Sequence, residues 1–218
     1  MLVKPSFSTG GETRLSFTQD LLGQSIEPFP SLIVHGHLRT LTGDRTAVAA
    51  TLLLGRAITA SLKVGRPISH RVASQVRKYT ELEGLDIPET TTVPLAVHTG
   101  SVELVVCSDH EELPVLVHSE RRRMALKEVP SHQYAGRLFS FESVVVATNS
   151  WLFGEGSLIK NGNGHFEASL AVPVLLAQDL SASRITVSKP MVANVPPARL
   201  EALKQLLLST DIQLKIQG

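Results

Sequence analysis

Apolar and polar positions first alternate clearly over residues 32–40. Leu32, Val34, Gly36 and Leu38 share one side; Ile33, His35, His37 and Arg39 share the other. That is strand spacing. Gly43-Asp44 supplies a turn and an N-cap, and residues 45–62, rich in Ala and Leu, read as a helix apolar almost all round and hence buried. Gly65-Arg66-Pro67 opens a second helix, with Pro67 in its first turn and Gly84 as its stop. Ile68, Val72, Val76, Tyr79 and Leu82 form its buried stripe, while Arg71 and Lys78 fall on other faces.

Beyond residue 92 the pattern turns to strands, at 93–97, 101–107, 113–118, 137–148, 150–153, 165–176, 184–188 and 212–216. A short basic helix is expected over 120–128, and a late helix runs from Pro196-Pro197 to Leu208. Residues 1–30, rich in Ser, Thr, Gly and Pro, show no sustained period and read as a flexible N-terminal arm. The expected architecture is α+β: one strand and two helices, then a mainly antiparallel β region with a late helix, in a single domain over 31–218.

Composition narrows the function classes. The chain has 218 residues, 43% hydrophobic and 19% charged, which suits one folded core rather than a disordered chain. A single cysteine, Cys107, excludes an internal disulfide and a cysteine zinc cluster, and points to a reducing, cytoplasmic compartment. The N-terminus lacks a signal-peptide core, so the protein is not expected to be secreted. The most apolar stretch, 47–62, contains Arg56 and is too short to span a bilayer. Membrane contact would therefore be peripheral.

Charge adds more. From Arg39 to Lys78 eight Lys or Arg face one acid, Asp44; from Tyr79 to Glu120 nine acids stand without a Lys or Arg; Arg121-Arg122-Arg123 follows. The net charge of +1 conceals this polarity. A basic surface attracts the phosphates of lipid or nucleic acid, and an acidic one can meet it on another copy. The candidate membrane- or RNA-binding residues are Arg56, Lys63, Arg66, Arg71, Arg77, Lys78, Arg121, Arg122 and Arg123.

Little else carries chemistry. Gly154-Glu155-Gly156-Ser157-Leu158-Ile159-Lys160-Asn161-Gly162-Asn163-Gly164 could bring backbone and Lys160 to a phosphate, with Gly154, Gly156, Gly162 and Gly164 allowing close approach. It matches neither a Walker A loop nor a dinucleotide fingerprint, and its plainer reading is a hairpin tip. His35 and His37 share a strand face and would be the candidates for proton transfer in RNA cleavage, but no third metal ligand accompanies them. Cys107 reads as buried and inert. No Gly-x-Ser-x-Gly string occurs. The expectation is a non-enzyme with no cofactor and no metal.

Two resemblances follow from these pieces. The strand at 32–40, the helix at 45–62, Gly65-Arg66-Pro67-Ile68 with its helix, Gly100-Ser101-Val102-Glu103-Leu104, and 139–153 with Trp151 resemble rhabdovirus matrix proteins. That resemblance implies a self-associating virion protein that links membrane or nucleocapsid through a basic surface. The Gly154–Gly164 string, two Gly-x-Gly pairs five residues apart, resembles the glycine-rich loop of ferredoxin-like RNA-binding subunits of CRISPR effector complexes, as 32–43 resembles their first strand. That alternative implies guide RNA and other complex subunits as partners. The first reading expects self-assembly as a homo-oligomer and an anionic membrane or nucleocapsid as partner.

Overall fold

Residues 1–30, expected to trail as an arm, contain strands among the described residues. In the computed structural model, which describes residues 1–21, 24–26, 29–36, 38–92, 100–107, 122–132, 136–154 and 165–217, β1 (Leu2–Phe7) pairs antiparallel with β2 (Glu12–Leu21). Val3 lies opposite Phe17 and Pro5 opposite Leu15. Val3, Leu15 and Phe17 are buried, each contributing about 1.5–3 kcal/mol relative to exposure. Ser and Thr between them hide the alternation in the raw sequence. Phe17 meets the Phe153 ring edge-on at 5.7 Å, which ties this hairpin to the core. β3 (Gln24–Ile26) adds to β2, and β4 (Leu32–His35) pairs on β2's other side.

Both early helices form, with different caps. α1 (Gly43–Leu54) starts at Thr42, whose hydroxyl accepts the Arg45 N–H, so Asp44 is not the cap. Its carboxylate instead accepts the Ser69 N–H at 2.6 Å and ties α1 to the start of the next helix. A 3-10 turn, Gly55–Ala57, ends α1 short of residue 62. After β5 (Ile68–Ser69), Ser69 caps α2 (His70–Thr80), which ends on Glu81 in a left-handed conformation rather than at Gly84. β6 (Thr90–Thr91) pairs with β5 in a small separate sheet.

The second half holds β7 (Val102–Cys107), β8 (Arg122–Pro130), β9 (Arg137–Phe139) and β10 (Ser143–Thr148). Then come a 3-10 turn at Ser150–Phe153, α3 (His165–Ser169), α4 (Ala171–Leu176), β11 (Ala182–Ser188), α5 (Pro197–Leu208) and β12 (Gln213–Gln217). The chain is α+β. Its ten-stranded sheet runs β1-β2-β4-β10-β8-β7-β11-β12, with β3 on β2 and β9 on β10.

Pairing direction after residue 100 corrects the antiparallel expectation: β10, β8, β7, β11 and β12 are mutually parallel, while the β1-β2-β4-β10 side is antiparallel. The near-continuous apolar run of β7, Val-Glu-Leu-Val-Val-Cys, suits a strand at the centre of a parallel sheet. Three element assignments also change. Residues 122–130 are strand rather than basic helix, because Met124, Ala125 and Leu126 fill the sheet between β7 and β10. Residues 150–153 are a 3-10 turn. Residues 165–176 are two helices, since 170–177 are buried on every side and period-2 spacing could not separate strand from helix. The expected strands at 93–97 and 113–118 lie outside the described residues.

The helices pack on one another in one layer, and Leu104, Val106, Leu126, Val144, Val146, Ile185 and Val187 join them in one core cluster. Side chains at alternate positions project from the opposite, outer face of the sheet. No helix is long and apolar enough to cross a membrane.

Candidate functional site

On that outer face the register sets Arg123 of β8, Glu103 of β7, Arg184 of β11 and Gln213 of β12 side by side. A β-bulge contributes. Ala182 pairs with Val102, but the next pair is Arg184 with Glu103, so the extra residue re-aims Arg184 toward the acid. Glu103 is only 4% exposed. Its carboxylate accepts the Thr186 hydroxyl at 2.8 Å and lies 3.5 Å from Arg123 Nε and 3.6 Å from Arg184 Nη1.

Each guanidinium is also held from outside. Arg184 Nε and Nη2 donate to Gln213 Oε1 at 3.0 and 2.8 Å, and Arg123 Nη2 donates to Gln217 Oε1 at 2.9 Å. Arg123 Nε has no hydrogen-bond partner. Lys127 follows on this face beside Cys107, and exposed Lys215 beside Thr186. Among the described residues of these rows, Arg123, Arg184 and Lys215 stand against one carboxylate. The acid fixes the arginine forks without neutralising the face, which is a geometry for phosphate oxygens.

Arg122 turns the other way, to the tip of the β9–β10 hairpin. It donates to the Phe141 carbonyl at 2.9 Å, and its guanidinium lies 4.1 Å from the Phe141 ring centroid. Phe141 is 73% exposed. On β9, Phe139 is exposed with the Arg137 guanidinium 6.0 Å from its centroid, and Leu138 is exposed beside it. The Ala125 N–H donates to the Glu142 carbonyl at 2.7 Å, which seats the hairpin tip against β8 next to Arg122 and Arg123. Exposed aromatic rings paired with arginines therefore stand at the hairpin beside β8, one residue along that strand from Arg123 but on the other side of the sheet from the cationic row. Contiguous apolar exposure of this kind marks contact surfaces.

The remaining basic residues named from the sequence do not join this face. Arg66 donates to the Leu41 carbonyl; Arg71 donates to the Ser209 carbonyl at 2.8 Å and pairs with Asp211 at 2.6 Å; Arg77 donates to the Leu85 carbonyl at 2.9 Å. Arg56 pairs with Glu81 at 3.2 Å. Lys63 and Lys78 are exposed. These groups belong to the helices and their links, so the basic block is dispersed. Among the acids, Glu103 is buried and Glu89 accepts the Gly65 N–H, so the acidic block is not one face either.

Arg121, Gly156, Lys160, Gly162, Gly164 and His37 lie outside the described residues. Gly154 closes the 3-10 turn after β10. His35 sits 3.8 Å from Glu12, and no metal-binding group of His, Cys, Asp and Glu occurs among the described residues. Cys107 is buried.

Sequence reasoning missed Arg184, Glu103, Phe139 and Phe141. Arg184 and Glu103 are 81 positions apart, and only the bulged register joins them. The two phenylalanines read as ordinary strand residues. No protein-family model, curated protein or solved structure matches this chain.

Proposed function

We propose that this protein binds single-stranded nucleic acid across the outer sheet face and the β9–β10 hairpin, as a binding component rather than an enzyme. The observation that carries this reading is that Arg122, over the exposed Phe141 ring, is followed on β8 by Arg123, which shares the buried Glu103 with Arg184 of β11. Single strands are held by base stacking on aromatic side chains together with cations that follow the backbone. The Phe139 and Phe141 rings supply stacking platforms, and the arginine row supplies phosphate donors. The guide-RNA and ribonucleoprotein readings of the sequence fall within this class.

An anionic bilayer is the competing ligand for an aromatic and basic hairpin. The buried Glu103 favours nucleic acid, because it orients individual guanidinium forks for discrete phosphates, whereas a lipid surface gains mainly from total positive charge. Fluorescence anisotropy with RNA and DNA oligonucleotides of about 12 nucleotides, beside sedimentation with phosphatidylserine vesicles, tests the choice. Saturable, salt-sensitive oligonucleotide binding supports the proposal. Vesicle binding without oligonucleotide binding overturns it in favour of a membrane-facing role.

A further inference from the structure

In the helical layer, away from the outer-face cations, Arg45 occupies the first turn of α1 and is only 5% exposed. Its Nη1 is buried without a hydrogen-bond partner, and among the described residues its guanidinium forms no ion pair. Both placements are unfavourable. A positive charge in the first turn opposes the helix dipole, and a buried charge without a counter-ion in contact is strongly destabilising. Burial pushes the guanidinium down from its ordinary range, against the pull of Asp211, Asp179 and Asp44.

Those three carboxylates are held by other donors. Asp44 accepts the Ser69 N–H at 2.6 Å. Asp179 accepts the Arg39 and Thr40 N–H groups at 2.8 and 3.1 Å, together with the Thr40 hydroxyl. Asp211 accepts from Arg71 Nη2 at 2.6 Å, while Arg71 Nε donates to the Ser209 carbonyl. Asp179 stands just before β11 and Asp211 just before β12. The Arg45 guanidinium therefore lies near the amino ends of these strands, where α1 and α2 also begin. The start of α1 adds donors. Thr42 takes the Arg45 N–H on its hydroxyl and the Thr46 N–H on its carbonyl, so the Gly43 and Asp44 N–H groups have no acceptor within the helix. A guanidinium presents paired donors to two oxygens of one anion, and a helix N-terminus favours negative charge.

We propose that Arg45 and the N-terminus of α1 form a binding site for a small oxyanion, a phosphate or a carboxylate. The anion supplies the contact counter-charge that Asp44, Asp179 and Asp211, each held elsewhere, do not give. The burial of the guanidinium restricts the ligand to a compact anion. The site stands apart from the face proposed for single strands, which lies on the other side of the sheet.

Thermal unfolding of the full chain in chloride, phosphate and acetate at one fixed ionic strength tests this, with calorimetric titration of phosphate and of acetate as a second readout. The expected result is a saturable rise over chloride, about 2–4 °C once the bound anion exceeds its Kd roughly five-fold. A rise with phosphate alone assigns a phosphate site, with acetate alone a carboxylate site, and with both a general oxyanion site. Arg45→Met should abolish the saturable rise, while Arg123→Ala/Arg184→Ala keeps it. Arg45→Lys retains the charge without the paired donors and should weaken binding about tenfold, which carries the test if Arg45→Met does not fold. Absence of any saturable rise over chloride in the native protein overturns the inference and leaves the guanidinium solvated by water. So does a rise that Arg45→Met or Arg45→Lys retains in full, or one that Arg123→Ala/Arg184→Ala removes.

Discussion

Thr186 donates its hydroxyl to the Glu103 carboxylate at 2.8 Å, from a neighbouring parallel strand and with both residues buried. This bond fixes the acid that in turn positions Arg123 and Arg184. Replacing Glu103 by Ala leaves two guanidinium groups without their buried counter-charge. Breaking such a pair costs about 3 kcal/mol, readable as a shift of the urea midpoint at unchanged slope.

Glu103→Gln separates orientation from charge. The substitution makes the outer face more positive, so a purely Coulombic surface would bind oligonucleotides more tightly. If the carboxylate orients the forks, Glu103→Gln weakens oligonucleotide binding several-fold in anisotropy titrations, even at low salt.

A second buried ion pair holds the helical layer. Arg199 makes two bonds to the Glu167 carboxylate, at 2.8 and 3.0 Å, donates to the Tyr79 carbonyl, and lies 3.7 Å from the Tyr79 ring centroid. Burial pushes the Tyr79 phenol well up from its ordinary range, with the neighbouring Glu167 charge adding to the effect. Arg199→Ala should lower stability by about 3 kcal/mol in chemical unfolding. Arg199→Lys should not restore it, since an ammonium offers neither the paired donors nor the flat stacking surface.

Asp44 gives a pH signature. Desolvation raises its carboxyl above the ordinary 3.8, and the Ser69 N–H bond opposes that rise only in part. A carboxyl raised in the folded state contributes stability below its unfolded value, and that contribution fades as pH rises through the folded value. The stability of the native sequence relative to Asp44→Asn should therefore increase as pH falls from neutral through the window just above 3.8. Parallel unfolding curves of the two proteins across that range check the sign.

Gly43 stands where a side chain has no room. A Cβ there would lie 2.0 Å from the Pro67 carbonyl oxygen, a backbone atom that cannot swing aside. Gly43→Ala should force α1 and the Arg66-Pro67 link apart and destabilise by about 1–3 kcal/mol, seen as a lower unfolding temperature.

These relationships divide by how far local pattern reaches. The helix at α1 was legible from its Ala- and Leu-rich run, though Thr42 rather than Asp44 caps it, and the strand at β4 from its alternation. The stripe of Val72, Val76 and Tyr79 marked α2 for the same reason. The N-terminal hairpin was not legible, because Val3 and Phe17 meet only across a turn and their solvent-side neighbours read as tail composition. Parallel pairing leaves no local turn signal, so the central sheet was misread as antiparallel. The basic block was visible as sequence charge, but Arg66, Arg71 and Arg77 are bound to carbonyls that only the tertiary fold supplies. Of the named basic residues, Arg122 reaches the hairpin and Arg123 the outer face; Phe141 comes from the β9–β10 turn, and Glu103 and Arg184 from other strands.

The salt dependence of oligonucleotide binding, compared between the native protein and Arg123→Ala/Arg184→Ala, tests the central claim most directly. Single-strand binding through about four cations gives a log–log slope near −3, or about a 50-fold loss of affinity between roughly 50 and 200 mM salt. Removing the two arginines should reduce the magnitude of that slope by about 1.4. An unchanged slope in the double variant, with the native protein still binding, would place the nucleic acid elsewhere and contradict the account.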